Sequence, residues 1–200
     1  RRPRVCCTQA VRIGAYHNAT PRHGNRSAKS RGHRGATYSG AAYVFDMNSS
    51  PPTTARYTLI QPNPVGSEGF GSAVAIVGTT VVVSATSEDT GAANAGSAYI
   101  YNLGATTYNP APRLTIRNPS AQANDHFGSA LSLNGDRLAV GVPYDSSSGW
   151  GEAGLVYIYN LAGATPTTPA FTLNRTPQNI SERFGLSVAL WGTQAMVGAP

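Results

Sequence analysis

Short stretches of alternating apolar and polar residues, separated by turns rich in glycine and proline, run through the chain from residue 35 onward. A two-residue period predicts β-strands, and Gly-Thr or Asn-Pro pairs at the ends of these stretches predict turns. No stretch keeps a helical period over three turns. The best-defined group of predicted strands is Ser72–Val77, Thr80–Ser84, Ser97–Asn102 and Arg113–Ile116.

This group of strands recurs with a period of about 57 residues, the interval that separates three Phe-Gly pairs. Seventeen residues align without a gap from each pair, and a Tyr recurs in the segments SGAAYVF, AGSAYIY and AGLVYIY. The recurring residues are Phe70, Gly71, Phe127, Gly128, Phe184, Gly185, Tyr43, Tyr99 and Tyr157. Four short antiparallel strands in a repeat of this length predict the blade of a β-propeller, with the Phe side chain between adjacent blades.

The second predicted strand of each repeat ends in one of three related triplets: Ser84-Ala85-Thr86, Gly141-Val142-Pro143 and Gly198-Ala199-Pro200. Together with the Phe-Gly pairs, the triplets resemble FG-GAP repeats, which form the blades of integrin-α-type β-propellers and of many bacterial exported proteins. The resemblance covers residues 35–200 and implies a propeller of seven blades in most relatives. Closure would then need about 400 residues, so the sequence is interpreted as a fragment.

The predicted organisation is an all-β propeller fragment preceded by an atypical basic leader. Residues 1–34 are the leader, and residues 35–200 hold about three blades. The proposed blade limits are 35–69 (partial), 70–126, 127–183 and 184–200 (partial). Because both ends of such a stack would be open, residues 35–200 alone are expected to aggregate or to fold poorly.

The formal net charge of +6 arises in the leader. Nine of the 15 Lys and Arg residues lie in residues 1–34, whereas residues 35–200 carry six Arg against nine acidic residues. The leader has no apolar alternation, although one repeat length counted back from Phe70 places the first half of a blade there. A shift of reading frame upstream of residue 35 would explain this, since suitable codons for Val11–Ala15, read one base later, encode Phe-Gly-Ser-Ala-Leu.

Three other interpretations of the leader stay open. A basic tail can bind nucleic acid or another polyanion, but Tyr16 is the only aromatic residue there that could stack on bases, so nucleic acid is not an expected partner. A metal site with His17, His23 or His33 is disfavoured, because the adjacent Cys6 and Cys7 lack the spacing with which two thiolates reach one zinc ion. The remaining interpretation is a disordered extension.

An acidic residue stands two positions before each repeat Phe, at Glu68, Asp125 and Glu182. Acidic side chains in turns commonly accept hydrogen bonds from backbone N–H groups. Because the acids recur regularly with the scaffold, they are predicted to cap turns. The alternative is a functional ring of carboxylates.

No catalytic residue is predicted, because the sequence contains no nucleophile elbow, phosphate-binding loop, HExxH or paired-carboxylate motif. Asp125, His126 and Ser129 are residue types of a catalytic triad, but the repeat assigns them to a blade turn. The integrin-like blades often hold calcium in a loop with acids or Asn at alternate positions. The segments SEDTG (87–91) and YDSSSG (144–149) lack this alternation, so no metal or other cofactor is predicted.

The loops between the second and third strands differ between repeats and form the predicted binding face, because variable loops on a rigid scaffold commonly carry recognition. An exposed Trp beside acidic residues is a typical contact for a protein or glycan ligand. The alternative is a solvated loop whose Trp folds back onto the blade. The candidate ligand-binding residues are Tyr144, Asp145, Trp150, Glu152, Glu88 and Asp89.

By its resemblance to FG-GAP proteins, the protein is expected to be secreted or attached to the cell surface and to act, without catalysis, in binding, adhesion or scaffolding. The alternative is an accessory propeller of a larger exported enzyme, such as a hydrolase, with its catalytic residues elsewhere. No apolar run reaches the ~18 residues that a membrane span requires.

Overall fold

The computed structural model describes residues 10–14, 39–51, 53–104, 110–147 and 149–200. These residues form thirteen β-strands and no helix. The strands are β1 (Ala10–Gly14), β2 (Ala41–Phe45), β3 (Ala55–Leu59), β4 (Phe70–Val77), β5 (Thr80–Ala85), β6 (Ser97–Asn102), β7 (Leu114–Arg117), β8 (Ala130–Asn134), β9 (Arg137–Val142), β10 (Leu155–Asn160), β11 (Phe171–Leu173), β12 (Ser187–Trp191) and β13 (Gln194–Gly198). They make four antiparallel sheets: β1–β3, β4–β7, β8–β11 and β12–β13.

The second and third sheets are four-stranded, and their strand order follows the chain, which confirms the all-β class and the predicted blade. The sequence predicted β6 with its observed bounds. β4 begins two residues before its predicted start, because Phe70 already pairs with Ala85 of β5. β7 lies one residue further along than predicted, because Arg117 pairs with Ser97 at the start of β6.

A β-bulge follows the first Phe-Gly pair. Regular pairing with β5 is interrupted between Phe70 and Val74, and Gly71–Ala73 lie opposite Ser84. The Ser84 hydroxyl accepts a hydrogen bond from the Ala73 N–H at 2.9 Å, so a donor that the ladder leaves free finds a partner. The bulge allows β4 to begin with a Phe packed towards the first sheet while the rest of the strand keeps regular pairing.

The apolar core lies between successive sheets, in three junctions. The first junction, between the first and second sheets, is filled by residues that include Val44, Leu59, Phe70, Val81, Val83 and Tyr101. The second junction contains Val82, Ile100, Ile116, Phe127, Leu138 and Val140, among others. The third junction contains Ala139, Val156, Ile158, Phe184, Val188, Leu190 and Val197. Each repeat Phe therefore packs between two sheets, as predicted, and Phe127 is 0% exposed.

One strand of the leader lies within the described residues. β1 pairs with β2 from Ala10 opposite Phe45 to Gly14 opposite Ala41, and it takes the place beside β2 that β5 takes beside β6. One repeat length counted back from β5 would place this strand at 23–28, so β1 does not follow the repeat. The rest of the leader lies outside the described residues, and the frameshift, disorder and polyanion interpretations stay predictions.

Candidate functional site

The candidate ligand-binding residues lie on loops at one end of the stacked sheets. In an antiparallel sheet alternate connections lie at the same end, so the loop between the second and third strands meets the segment that leads into the next sheet. The Phe127 N–H donates to the Ala95 carbonyl at 2.9 Å, and the Phe184 N–H donates to the Ala153 carbonyl at 3.0 Å. We call these segments the loop face: 86–96 and 118–127 at the second junction, and 143–154 and 174–184 at the third.

Glycine after each repeat Phe lets the chain approach the preceding sheet closely. Gly128 has φ +92°, and a Cβ atom there would lie 2.6 Å from the Cβ of Ser84. Gly71 and Gly185 have the same backbone conformation, with φ +95° and +96°, and Gly141 of the second triplet lies against the Gly185 carbonyl. Because a larger residue would strain both the backbone and the contact, the Phe-Gly pair holds the loop face against the neighbouring sheet.

The acidic residue before each Phe accepts hydrogen bonds within its own segment. Asp125 accepts from the Gln122 N–H and from the Asn118 side-chain amide, both at 2.7 Å. Glu182 accepts instead from the Arg175 guanidinium. The predicted capping of a turn is therefore found at Asp125, where a backbone N–H is the donor, and Glu68 has the equivalent backbone hydrogen bond with Val65.

Glu68, the corresponding acid at the first junction, is only 5% exposed. Its Oε2 atom has no hydrogen-bond partner among the described residues, and the same holds for Oε1 of Gln61. The Gln61 amide donates to the Tyr99 hydroxyl at 3.0 Å. Burial raises the pKa of Glu68 above its ordinary value, and the negative charges of Glu88 and Asp89 raise that pKa further.

Two of the predicted ligand-binding residues, Glu88 and Asp145, are buried and occupy equivalent positions in their repeats. Glu88 accepts hydrogen bonds from the hydroxyls of Thr90 and Ser97, the second at 2.5 Å. Asp145 accepts from the N–H and the hydroxyl of Ser147 at 3.0 Å and 2.5 Å. Their carboxylates therefore stabilise the loops from within.

Each buried loop acid belongs to a polar cluster with the acid before the Phe and the repeat Tyr. Burial raises the pKa of Asp125, and the charge of Asp145 raises it further. Burial also raises the pKa of Tyr157, and it raises the pKa of Tyr99 to about 12. The Ser120 hydroxyl lies 2.8 Å from the Tyr157 hydroxyl and 3.3 Å from the Asp145 carboxylate. These clusters lie inside the junctions and position the loops.

An aromatic and charged cluster lies partly exposed on the loop face, mainly at the third junction. The Arg183 guanidinium carbon lies 5.2 Å from the ring centre of Tyr144, and Nη2 of this Arg lies 2.9 Å from Oε2 of Glu152. The His126 ring meets the same Tyr edge-to-face at 5.4 Å. Trp150, on the loop of Tyr144 and Glu152, is 48% exposed. We call these five residues the loop-face cluster.

Asp89, the remaining candidate, is exposed on the second-junction part of the loop face. Its carboxylate accepts from the Asn94 N–H at 2.9 Å, and the Asn94 amide donates to Asn124 across the junction at 2.9 Å. Among the residues that the structure describes, no group of three or more His, Cys, Asp or Glu side chains is placed to hold a metal ion. That these blades bind no calcium or other cofactor stays a prediction.

One side of the loop-face cluster was predicted from the sequence. Tyr144, Trp150 and Glu152, which share a loop, were named there, but Arg183 and His126 were not named as their partners. Both of the missed residues come from segments that lead into the next sheet, and both directly precede a repeat Phe. The sequence signal that would have identified them is a polar or charged residue directly before the recurring Phe-Gly pair.

Stacked four-stranded antiparallel sheets with variable loops at one end define the class of protein as a β-propeller-type repeat domain. The family model of the FG-GAP repeat matches residues 56–101 and 116–159, each match running from the end of one sheet into the third strand of the next. The chain is an FG-GAP repeat protein. No curated protein matches it.

Proposed function

We propose that the protein is a non-catalytic binding module that recognises a protein ligand through the loop-face cluster. FG-GAP repeats themselves indicate a propeller-type binding domain. The observation that carries the finer proposal is the exposed Trp150 on the same loop as the Tyr144 and Glu152 side chains that contact Arg183. Trp, Tyr and Arg are the residues most enriched among those that dominate the free energy of protein association.

The geometry supports binding because the cluster is held in place before a ligand arrives. The Arg183 side chain is held by a ring on one side and a carboxylate on the other. The backbone N–H of Arg183 donates to the Glu152 carbonyl at 3.0 Å. A side chain that is already ordered loses less conformational entropy on binding than a free one. The partly exposed aromatic surface of Trp150 supplies apolar area next to this ordered charge.

We propose that the protein acts outside the cell or at its surface, as a binding module in adhesion or scaffolding. The support is the family, since FG-GAP repeats are typical of extracellular and surface proteins. Within the described ranges, no helix is long and apolar enough to cross a membrane. Labelling intact source cells with a membrane-impermeant biotin reagent tests this location, and a protein labelled only after lysis would contradict it.

Selection of a phage-displayed peptide library on the full 200-residue chain tests the binding proposal. We expect enriched peptides to bind the Trp150→Ala and Arg183→Ala variants at least about tenfold more weakly. Phe171→Ser is the matched control, because Phe171 is 65% exposed but lies on the outermost strand of the third sheet. Enriched peptides that bind all variants equally, or no enrichment, would overturn the proposal. If the chain binds to an oligosaccharide array and the Trp150→Ala variant does not, the ligand is a glycan and not a protein.

A further inference from the structure

Two exposed apolar side chains lie on the loop face at the third junction. Trp150 is 48% exposed and Ile180 is 66% exposed. Their backbone segments are adjacent, because the Ser181 N–H donates to the Gly151 carbonyl at 2.8 Å. We call Trp150 and Ile180 the apolar pair. Large apolar residues at neighbouring exposed positions form surface of the kind that marks protein association.

The second junction shows that these two positions are accessible between complete sheets. There the Asn124 N–H donates to the Ala93 carbonyl at 2.8 Å, the counterpart of the hydrogen bond beside the apolar pair. The residues directly before these two, Ala92 and Ala123, therefore take the positions of the apolar pair. Ala92 is half-buried and Ala123 is exposed, although both adjoining sheets have all four strands. The accessibility is thus a property of the loop face itself.

The fold does not require large side chains at these positions. The second junction makes the same backbone hydrogen bond with Ala at both of them. A partly exposed apolar side chain gains little stability from the fold, because much of its surface stays in contact with water. The third junction therefore presents two larger apolar side chains that a contact outside the fold would bury.

The charged side chains beside the apolar pair are already paired within the chain. The Arg183 guanidinium donates to Oε2 of Glu152 through Nε and Nη2, at 3.1 Å and 2.9 Å. The Arg175 guanidinium donates to Glu182, which also accepts from the Asn179 amide at 2.6 Å. Each of these Arg residues faces one acid, so their formal charges cancel. A strongly charged partner of either sign would have to compete with these ion pairs.

We propose that the apolar pair is the centre of the ligand site and receives an aliphatic or aromatic side chain from an uncharged segment of a protein partner. This inference deepens the proposed function and rests on it. The two ion pairs lie on the same two segments of the loop face as the apolar pair and supply a polar border. An apolar centre with a polar rim is the arrangement in which a few residues dominate the binding free energy.

The peptides that the library selection enriches, and whose binding depends on Trp150, are the probes for this inference. We expect Ile180→Ala, which installs the residue of the second junction, to weaken their binding at least about fivefold. Val65→Ala is the matched control, because Val65 is 86% exposed on the segment that leads into the second sheet, and it should leave binding unchanged. Peptides that depend on Trp150 but bind Ile180→Ala as tightly as the wild type overturn the inference and leave the proposed function standing.

The salt dependence of peptide binding distinguishes an apolar partner from a charged one. Between about 0.05 M and 0.5 M NaCl we expect the dissociation constant to change by less than about threefold, because salt screens charge pairs and not apolar contacts. A larger weakening, or enriched peptides that share a net charge and no apolar residue, would show a charged partner and overturn the inference. If no peptide is enriched, the proposed function fails and this inference fails with it. Far-UV circular dichroism of each variant, matched to the wild type, separates a lost contact from a lost fold.

Discussion

The first and second junctions are built on one plan, but they satisfy their buried polar groups differently. In both, the repeat Phe meets a Tyr of the same sheet edge-to-face: Phe70 with Tyr101 and Phe127 with Tyr159, each with ring centres 6.4 Å apart. Edge-to-face packing of aromatic rings stabilises a core beyond the area that it buries. The apolar half of the junction is thus repeated with little change.

The polar half of the junction, meaning its buried hydrogen-bonding groups, differs between the first and second junctions. At the second junction Asp125 accepts two hydrogen bonds, and the Ser120 hydroxyl links the Tyr157 and Asp145 side chains. At the first junction the position of Ser120 is taken by Asn63, which is exposed, and Oε2 of Glu68 has no partner among the described residues. Within one and the same chain, the repeat therefore keeps its stacking contacts more strictly than its buried hydrogen bonds.

The largest effect that tests this comparison is the loss of a repeat Phe. We expect Phe127→Ala and Phe70→Ala each to lower the free energy of unfolding by about 3–5 kcal/mol, because a large buried ring is removed and a cavity remains. Urea denaturation at low protein concentration measures both. Phe171→Ala, at an exposed position, should stay within about 0.5 kcal/mol of the wild type. Unequal losses at the two junctions would show that their apolar halves are not equivalent.

The fold was predictable because its strongest signals are local and repeated. The alternation in Ser97–Asn102 defined β6 to the residue, and the constant interval between the Phe-Gly pairs placed every repeat Phe between two sheets. The start of β4 at Phe70 was missed, because the β-bulge breaks the alternation after it. The pairing of β1 was missed as well, because Ala10–Gly14 do not follow the repeat.

The candidate site was less predictable, because it depends on contacts between segments far apart in the sequence. Acidic residues in loops are ordinarily exposed, yet Glu88 is buried and accepts a hydrogen bond from Ser97 of the following strand. The contact of Arg183 with Tyr144 joins segments that lead to different sheets. Residue type singled out the loop of Tyr144, Trp150 and Glu152 as a candidate, whereas the stacking of the sheets decides which of its side chains are exposed.

A smaller effect sharpens the comparison of the polar halves. We expect Ser120→Ala to lower the free energy of unfolding by about 1–2 kcal/mol, because the Tyr157 hydroxyl loses its partner in a buried site. The matched variant at the first junction, Asn63→Ala, should change it by less than about 0.5 kcal/mol, since Asn63 is exposed. Chemical denaturation of both proteins gives the two differences. Equal losses would mean that the two junctions share their polar half after all.

The smallest effect concerns Glu68, the acid before the repeat Phe of the first junction. Because the pKa of Glu68 is raised in the folded protein above its ordinary value of 4.5, the folded state binds the proton more tightly than the unfolded state does. The stabilisation that this proton provides is fully present below pH 4.5 and is lost as the pH rises through the raised pKa. At neutral pH the buried, ionised carboxylate beside Glu88 and Asp89 therefore opposes folding.

Replacing Glu68 by Gln removes this titration while nearly keeping the shape of the side chain. We expect Glu68→Gln to raise the free energy of unfolding at pH 7 by about 1 kcal/mol or less, and the gain to shrink as the pH falls towards 4.5. Urea denaturation of the wild type and of Glu68→Gln at a series of pH values measures the difference between their free energies of unfolding. The titration of Asp125 and of the other acids is common to both proteins and cancels in this difference. Asp125→Asn is the comparison at the second junction, where the substitution should be less favourable because the carboxylate there has two donors. A difference between wild type and Glu68→Gln that stays constant with pH would show that the pKa of Glu68 is not raised in the folded protein.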